Sequence, residues 1–136
     1  MDAKEALVQR FYEAREARDW KAVRELLAED VSWHELGPEA DYSGDHRGRE
    51  RVATLLEELV HATRGSFSLR PRSFVSTAEH VAASVRWSAT RGATRCDGND
   101  LAVFRVTDGK IAEAWFFPDG FDPQALGEVF SFSPKR

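Results

Sequence analysis

Three ionisable side chains stand at the ends of predicted β-strands in this chain. His34 and Glu35 close the first strand-like segment, and Asp119 follows the last apolar run. A histidine titrates near neutral pH, and apolar walls raise the pKa of a carboxyl group, so either type suits proton transfer next to a carbonyl. Adjacent strand residues face opposite ways, so without a bulge only one of His34 and Glu35 points fully inward, and the pattern leaves open which.

Each of these residues also has a structural interpretation. His34 fits a hydrogen-bonded structural histidine, and Glu35 fits a solvated carboxylate at a strand end. Asp119 lies between Pro118 and Gly120, where a simple turn is an equally good interpretation. Three phenylalanines flank it, so an inward-facing carboxylate there would be partly desolvated and its pKa raised.

Two further charged residues, Arg86 and Asp100, lie in predicted strands whose side chains alternate between the two faces of the sheet. If their faces form the inner side of the sheet, the two could make a buried ion pair or a substrate clamp, because an isolated charge is costly there. Equally, both could lie at a solvent-exposed or dimer face. Besides these two, the residues that we expect to contact a substrate are Tyr12, Trp33, Phe104 and Phe116.

Other kinds of site find no support in the sequence. The four histidines are scattered without metal-ligand spacing, and Cys96 is the single cysteine, so no metal site is expected. Glycine-rich phosphate loops are absent, and we expect no cofactor. Acidic and basic residues are interspersed with a net charge of -4, which favours neither nucleic acid nor a membrane surface as partner.

The elements that must position these residues begin with helices. Capping residues and apolar spacing predict helices over residues 3–17 and from Asp19 to about Ala28. A short strand is predicted over Val31–Leu36, followed by a long loop over residues 37–48 and the clearest helix, which begins after that loop.

The stretch Leu101–Asp119 predicts a central β-hairpin, because two apolar runs flank Asp108-Gly109. Its first arm is apolar on both faces, so both faces of the sheet need cover. The region from Phe67 to Phe117 reads as antiparallel strands with an irregularity at Pro71, and a short helix could follow in the tail. At 136 residues with 42% hydrophobic residues, we expect a single domain over residues 1–136, and the N-terminal stretch without a signal peptide favours a cytoplasmic protein.

Three stretches carry a resemblance to a known family: LAEDVSWHELG, GRERV at the start of the third helix, and VFRVTDGKIAEAWFFPD. They are similar to the nuclear transport factor 2-like (NTF2-like), ketosteroid-isomerase-like superfamily, in its SnoaL-like polyketide cyclase branch. The resemblance implies an α+β, cystatin-like cone: a curved, mainly antiparallel sheet on three N-terminal helices. It also implies acid/base roles for Asp119 and for His34 or Glu35.

Two departures from the ketosteroid isomerase pattern concern its oxyanion hole. The resemblance places Phe11 and Ala102 where those isomerases carry a tyrosine and an aspartate, and neither side chain can donate a hydrogen bond. We therefore weigh two functions. The first is a cofactor-free acid/base enzyme, of cyclase, isomerase or dehydratase type, acting on a small hydrophobic carbonyl compound. The second is a non-catalytic ligand-binding or dimerisation module, and in either case we expect a homodimer through the convex sheet face.

Overall fold

The computed structural model describes residues 2–133 as four helices around one face of a six-stranded sheet. The helices are α1 (Ala3–Glu16), α2 (Trp20–Leu26), α3 (Arg49–Ala62) and α4 (Pro123–Val129). The strands are β1 (Leu27–Glu35), β2 (Gly44–Arg47), β3 (Ser68–Ser76), β4 (His80–Arg91), β5 (Thr94–Thr107) and β6 (Lys110–Asp119). Among the described residues, no helix has the length and apolar character needed to cross a bilayer.

The strands follow the order β2-β1-β6-β5-β4-β3, which places the predicted hairpin at the centre of the sheet. β1 runs parallel to β6, and every other neighbouring pair is antiparallel. Asp108 and Gly109 both adopt positive φ, of 52° and 72°, as the tight turn between β5 and β6 requires. The predicted α+β class with a curved, mainly antiparallel sheet is confirmed.

The helices cover one face of the hairpin and leave the other uncovered within the chain. On the inner face, Ala102 and Phe104 are fully buried. On the outer face, Leu101 is 50% exposed, and its cross-strand partner Phe117 is 44% exposed. Contacts within the chain therefore explain the apolar residues of the inner face but not those of the outer face.

Strand boundaries differ from the prediction near the N-terminal half of the sheet. β1 begins at Leu27 rather than at Val31, because its backbone already pairs with β6 there. β2 lies inside the segment predicted as a loop. It is a mostly exposed edge strand, so its sequence lacks the apolar alternation by which a strand is recognised. The expected irregularity at Pro71 is confirmed by a register shift between β3 and β4.

Aromatic side chains fill the middle of the space between helices and sheet. Phe11 and Tyr12 of α1 meet Phe104 of β5 with ring centroids 6.1 Å and 5.9 Å apart. Trp33 of β1 lies against Phe116 of β6 at 4.5 Å. Such close ring contacts leave little free volume. Empty space is therefore confined to one end of the interior.

Two valines on neighbouring strands test which face carries the stability. Val81 is fully buried, whereas Val75 is 68% exposed. We expect Val81→Ala to lower the free energy of unfolding by about 2 kcal/mol, because it removes buried methyl groups and leaves a cavity. Val75→Ala is the matched control, with an expected change within about 0.5 kcal/mol. Urea denaturation measures both, and equal effects would contradict the assignment of the inner face.

Candidate functional site

A small cavity lies at the end of the interior where α1, β1, β5 and β6 approach one another. Its free volume is about 30 Å³, room for about one or two water molecules. The volume is small because the aromatic side chains occupy most of the interior. Three of the lining residues carry a carboxyl or guanidinium group, and the full lining is Arg15, Glu35, Tyr42, Leu59, Phe67, Leu69, Trp87, Asp100, Phe116, Pro118 and Phe130.

Glu35 is the residue of the His34-Glu35 pair that faces the cavity. It shares the inner face of β1 with the buried Trp33, whose indole N–H donates a 2.7 Å hydrogen bond to its carboxylate. Glu35 is partly buried, and the desolvation of its carboxyl, with the nearby charge of Asp100, raises its pKa from 4.5 to about 7. The Trp33 hydrogen bond and the Arg15 charge act in the opposite direction. Glu35 can therefore accept or donate a proton near neutral pH.

Asp100 enters the cavity from β5, where it pairs with Pro118 of β6 and Val85 of β4. Burial raises its pKa from 3.8 to about 6, against the opposing effects of the Arg15 charge and of hydrogen bonding from the Trp87 side chain. Trp87 can lie across β5 because residue 98 is a glycine. A Cβ there would come within 2.8 Å of the Trp87 ring.

Arg15 supplies the cation of the cavity from α1. It is 5% exposed and continues the buried stripe of that helix. Its guanidinium carbon lies 5.8 Å from the ring centre of Phe11 and 5.9 Å from those of Tyr12 and Phe67. Within residues 2–133 its guanidinium makes neither a hydrogen bond nor an ion pair. Burial lowers the pKa of Arg15, and the charges of Glu35 and Asp100 act against this.

Two segments that contact each other form part of the cavity wall. Tyr42, in the loop between β1 and β2, packs edge-on against Phe130 at the end of α4, with ring centroids 5.6 Å apart. One loop residue further back, Asp41 accepts a 2.7 Å hydrogen bond from the backbone N–H of Phe132. A ligand larger than the free volume needs the cavity walls to move, and these two segments are among the walls.

His34 faces the opposite side of the sheet. Its Nδ1 lies 2.7 Å from Asp45 of β2, and its Nε2 lies 2.7 Å from Glu113 of β6. The ring also stacks on Trp115. Burial tends to lower the pKa of His34, but the two carboxylates prevail and raise it. An acceptor at each nitrogen favours the protonated ring, which links β1 to β2 and β6.

The remaining predicted residues divide between core, surface and cavity. Asp119 is exposed at the end of β6, and Arg86 is exposed on the outer face, 3.1 Å from Asp97. Arg86 and Asp100 are therefore separated, because adjacent register positions place them on opposite faces of the sheet. Phe104 and Tyr12 are buried in the aromatic cluster, and the Tyr12 hydroxyl has no hydrogen-bond partner within residues 2–133. Phe116 lines the cavity.

The sequence reasoning missed one charged cavity residue, Arg15, and four aromatic ones: Tyr42, Phe67, Trp87 and Phe130. A signal for Arg15 exists in the sequence: it lies four residues after Phe11 and seven after Val8, on the apolar stripe of α1. A charged residue at such a spacing indicates either a snorkelling side chain or a buried cation, and the helix alone does not distinguish them. Among residues 2–133, no group of three or more histidine, cysteine or acidic side chains is arranged to hold a metal ion.

The raised pKa of Glu35 predicts a pH dependence of stability. In the unfolded chain the carboxyl loses its proton near pH 4.5, whereas in the folded chain it does so near pH 7. The folded state therefore binds more protons between these values, and the free energy of unfolding falls as pH rises through this range. We expect Glu35→Gln to be more stable than the wild type by about 3 kcal/mol at pH 8 and about equal to it at pH 4.

Urea titrations at pH 4, 6 and 8 measure this difference, with the exposed Glu39→Gln as the matched control. Asp100 and His34, whose folded pKa values are also raised, add to the fall in both proteins and cancel in the comparison. A constant difference between Glu35→Gln and wild type across the three pH values would contradict the burial of an ionisable Glu35.

Comparison with solved structures identifies the same fold in other proteins. Bal32a, from a soil-derived mobile gene cassette, is 28% identical with a TM-score of 0.84, over 94% of this chain and 96% of that one. A protein from Xanthomonas campestris with a cystatin-like fold is 22% identical with a TM-score of 0.84, over 96% and 99%. IdmH from Streptomyces antibioticus, described as a candidate polyketide cyclase, is 21% identical with a TM-score of 0.72, over 88% and 93%. At such identities the last two show the fold alone.

A comparison with curated proteins found no significant match. The family comparison is decisive, because a model of the SnoaL-like domain matches residues 8–114, from within α1 into β6. The predicted resemblance to the NTF2-like superfamily is thereby confirmed, and the chain belongs to the SnoaL-like domain family.

Proposed function

We propose that this protein is an acid/base enzyme in which Glu35 moves a proton of a small hydrophobic carbonyl compound. The observation that carries the proposal is the burial of Glu35 beside Asp100 in one cavity, with their pKa values raised to about 7 and about 6. Raised and unequal pKa values in a pair of carboxyl groups are typical of an acid and a base that share one substrate.

In this proposal the ionised Glu35 is the base and Asp100 assists it. Near neutral pH part of the Glu35 population is ionised, so it can take a proton from the carbon next to a carbonyl group. Asp100, whose pKa lies lower, keeps a negative charge that raises the basicity of Glu35. Phe116 and Phe67 supply apolar walls that exclude water. Cyclisation, isomerisation and dehydration all begin with such a step.

A second candidate is a non-catalytic binding module of the same fold. The small free volume favours the binding module, because a cavity of about 30 Å³ does not hold a substrate unless its walls move. The two candidates differ in one measurable property: only the enzyme accelerates proton exchange at carbon. A binding module would retain a ligand without labelling it.

Exchange of protons for deuterium in D₂O, followed by proton NMR over a panel of small cyclic ketones and 1,3-diketones, tests the enzyme proposal. We expect wild-type protein to label the carbon next to the carbonyl group. Glu35→Gln should slow the labelling by about 10²- to 10⁴-fold, the usual contribution of a positioned base. Glu39→Gln, which changes an exposed carboxyl in the same way, should leave the rate unchanged.

Asp119→Asn belongs in the same series, because the sequence assigned an acid/base role to this residue. A loss of labelling equal to that of Glu35→Gln would show that Asp119 takes part in the reaction. The end of β6 that carries Asp119 would then have to move toward the substrate. Labelling by Glu35→Gln at the wild-type rate would instead overturn the proposed base. If the wild-type protein binds a ketone of the panel but does not label it with deuterium, the result would favour the binding module.

We also propose that a second copy of the chain covers the outer face of the sheet. Leu101 and Phe117 stand directly opposite each other on the two central strands, and both are about half exposed. Apolar patches at the centre of a sheet face are typical of interfaces between copies. The two side chains continue the apolar pattern that the sequence shows on this face.

Phe117→Asp should shift the protein from dimer to monomer in sedimentation velocity, because a charge would be buried at the interface. Thr54→Asp, which adds the same charge at an exposed position of α3, is the control and should leave the sedimentation coefficient unchanged. A wild-type protein that sediments as a monomer at all concentrations would contradict the proposed dimer.

A further inference from the structure

The Arg15 guanidinium is a buried cation whose N–H groups the described chain does not use. A guanidinium carries five N–H donors, and within residues 2–133 none of them makes a hydrogen bond or an ion pair. The side chain is only 5% exposed, and the surface that remains lies on the cavity. Unused donors of a buried charge are costly. An acceptor that entered the cavity would therefore be stabilised by these donors.

The surroundings of Arg15 orient these donors rather than satisfy them. The rings of Phe11, Tyr12 and Phe67 lie at 5.8–5.9 Å from the guanidinium carbon, a distance typical of cation–π contact. Such contacts stabilise a cation without consuming its hydrogen-bond donors. The edge of the guanidinium thus stays available to an oxygen atom.

Glu35 and Asp100 line the same cavity as Arg15, and the Arg15 charge lowers the pKa of each carboxyl group, although neither group forms an ion pair with it. The free volume lies among these three groups. A carbonyl compound in this cavity would therefore border both the cation and the carboxyl groups. This is the arrangement that removal of a proton next to a carbonyl group requires.

We propose that Arg15 binds the substrate's carbonyl oxygen and stabilises the negative charge that develops on it. The inference rests on the acid/base function proposed above and assigns its oxyanion-binding group. It also accounts for the absence of hydrogen-bond donors at Phe11 and Ala102, because the cation enters from a different turn of α1. Ligands that bind as oxyanions should therefore be preferred over neutral ketones.

The charges balance in this step. The Glu35 carboxylate takes the proton, the C–H electron pair forms the carbon–carbon double bond of the enolate, and the π pair of the carbonyl moves to oxygen. One negative charge thus moves from Glu35 to an oxygen beside Arg15, with no change in the net charge of the cavity. Return of the proton from Glu35 to carbon reverses the step.

Acetylacetone tests the inference, because its enolate absorbs in the ultraviolet differently from its neutral forms. At neutral pH we expect wild-type protein to bind it as the enolate, seen as a new absorption band on titration. Arg15→Met should weaken enolate binding by about 10- to 100-fold, the loss expected when hydrogen bonds to a charged group are removed. Arg15→Lys keeps the charge without the planar fork and should fall between the two.

Two controls separate this role from general damage. Arg10→Met makes the same change at an exposed position of α1 and should leave enolate binding unchanged. The dimethylated analogue 3,3-dimethylpentane-2,4-dione lacks the acidic central proton, and it should lose less affinity than the enolate does between wild type and Arg15→Met, because a neutral carbonyl oxygen accepts a weaker hydrogen bond from the cation. Circular dichroism confirms folding, which the apolar replacement of a buried cation is expected to preserve.

The outcomes distinguish this inference from the function on which it rests. Equal enolate affinity in Arg15→Met and wild type, or absence of the enolate band in wild type, overturns the role of Arg15. If Glu35→Gln alone stops deuterium labelling, the acid/base function survives that result. If Arg15→Met loses the enolate while Glu35→Gln labels ketones at the wild-type rate, Arg15 binds oxyanions and Glu35 is not the base.

Discussion

Desolvation of three charged groups in one small cavity is the constraint on which the functional interpretation depends. Arg15, Glu35 and Asp100 come from α1, β1 and β5, and none of them forms an ion pair with another. Burial without pairing disfavours the charged forms, which is why both carboxyl pKa values rise. A chain selected for stability alone would replace such groups by apolar side chains. Their retention in an aromatic interior is best explained by chemistry.

The fold was predictable from local signals, and the site was predictable only in part. Asp108-Gly109 fixed the central hairpin because a two-residue turn with positive φ admits few other residues. The sequence analysis did not predict β2, because the sequence of an exposed edge strand does not alternate between apolar and polar residues. Strand alternation places Glu35 on the same face of β1 as the buried Trp33. Which of Glu35 and His34 faces the interior, however, depends on the register of β1 against its neighbouring strands.

The size and charge of the cavity could not be predicted from any single element. Arg15 lies on an apolar stripe, and whether such a side chain reaches solvent or stays inside depends on the strands and helices packed over it. The free volume likewise depends on how the Trp33, Phe104 and Phe116 rings fit together. Packing of this kind involves elements far apart in the sequence, so a local pattern carries no information on it.

The single parallel pair of the sheet also affects how the site is assembled during folding. Glu35 reaches its position beside Phe116 only when β1 docks on β6, a contact between residues far apart in the sequence. Contacts of such long sequence separation pay a large loop-closure entropy and form slowly. β1 precedes β6 in the sequence, so a nascent chain that ends before β6 lacks the parallel partner of β1. The Glu35 carboxyl therefore stays solvated until β6 has been synthesised and has paired with β1.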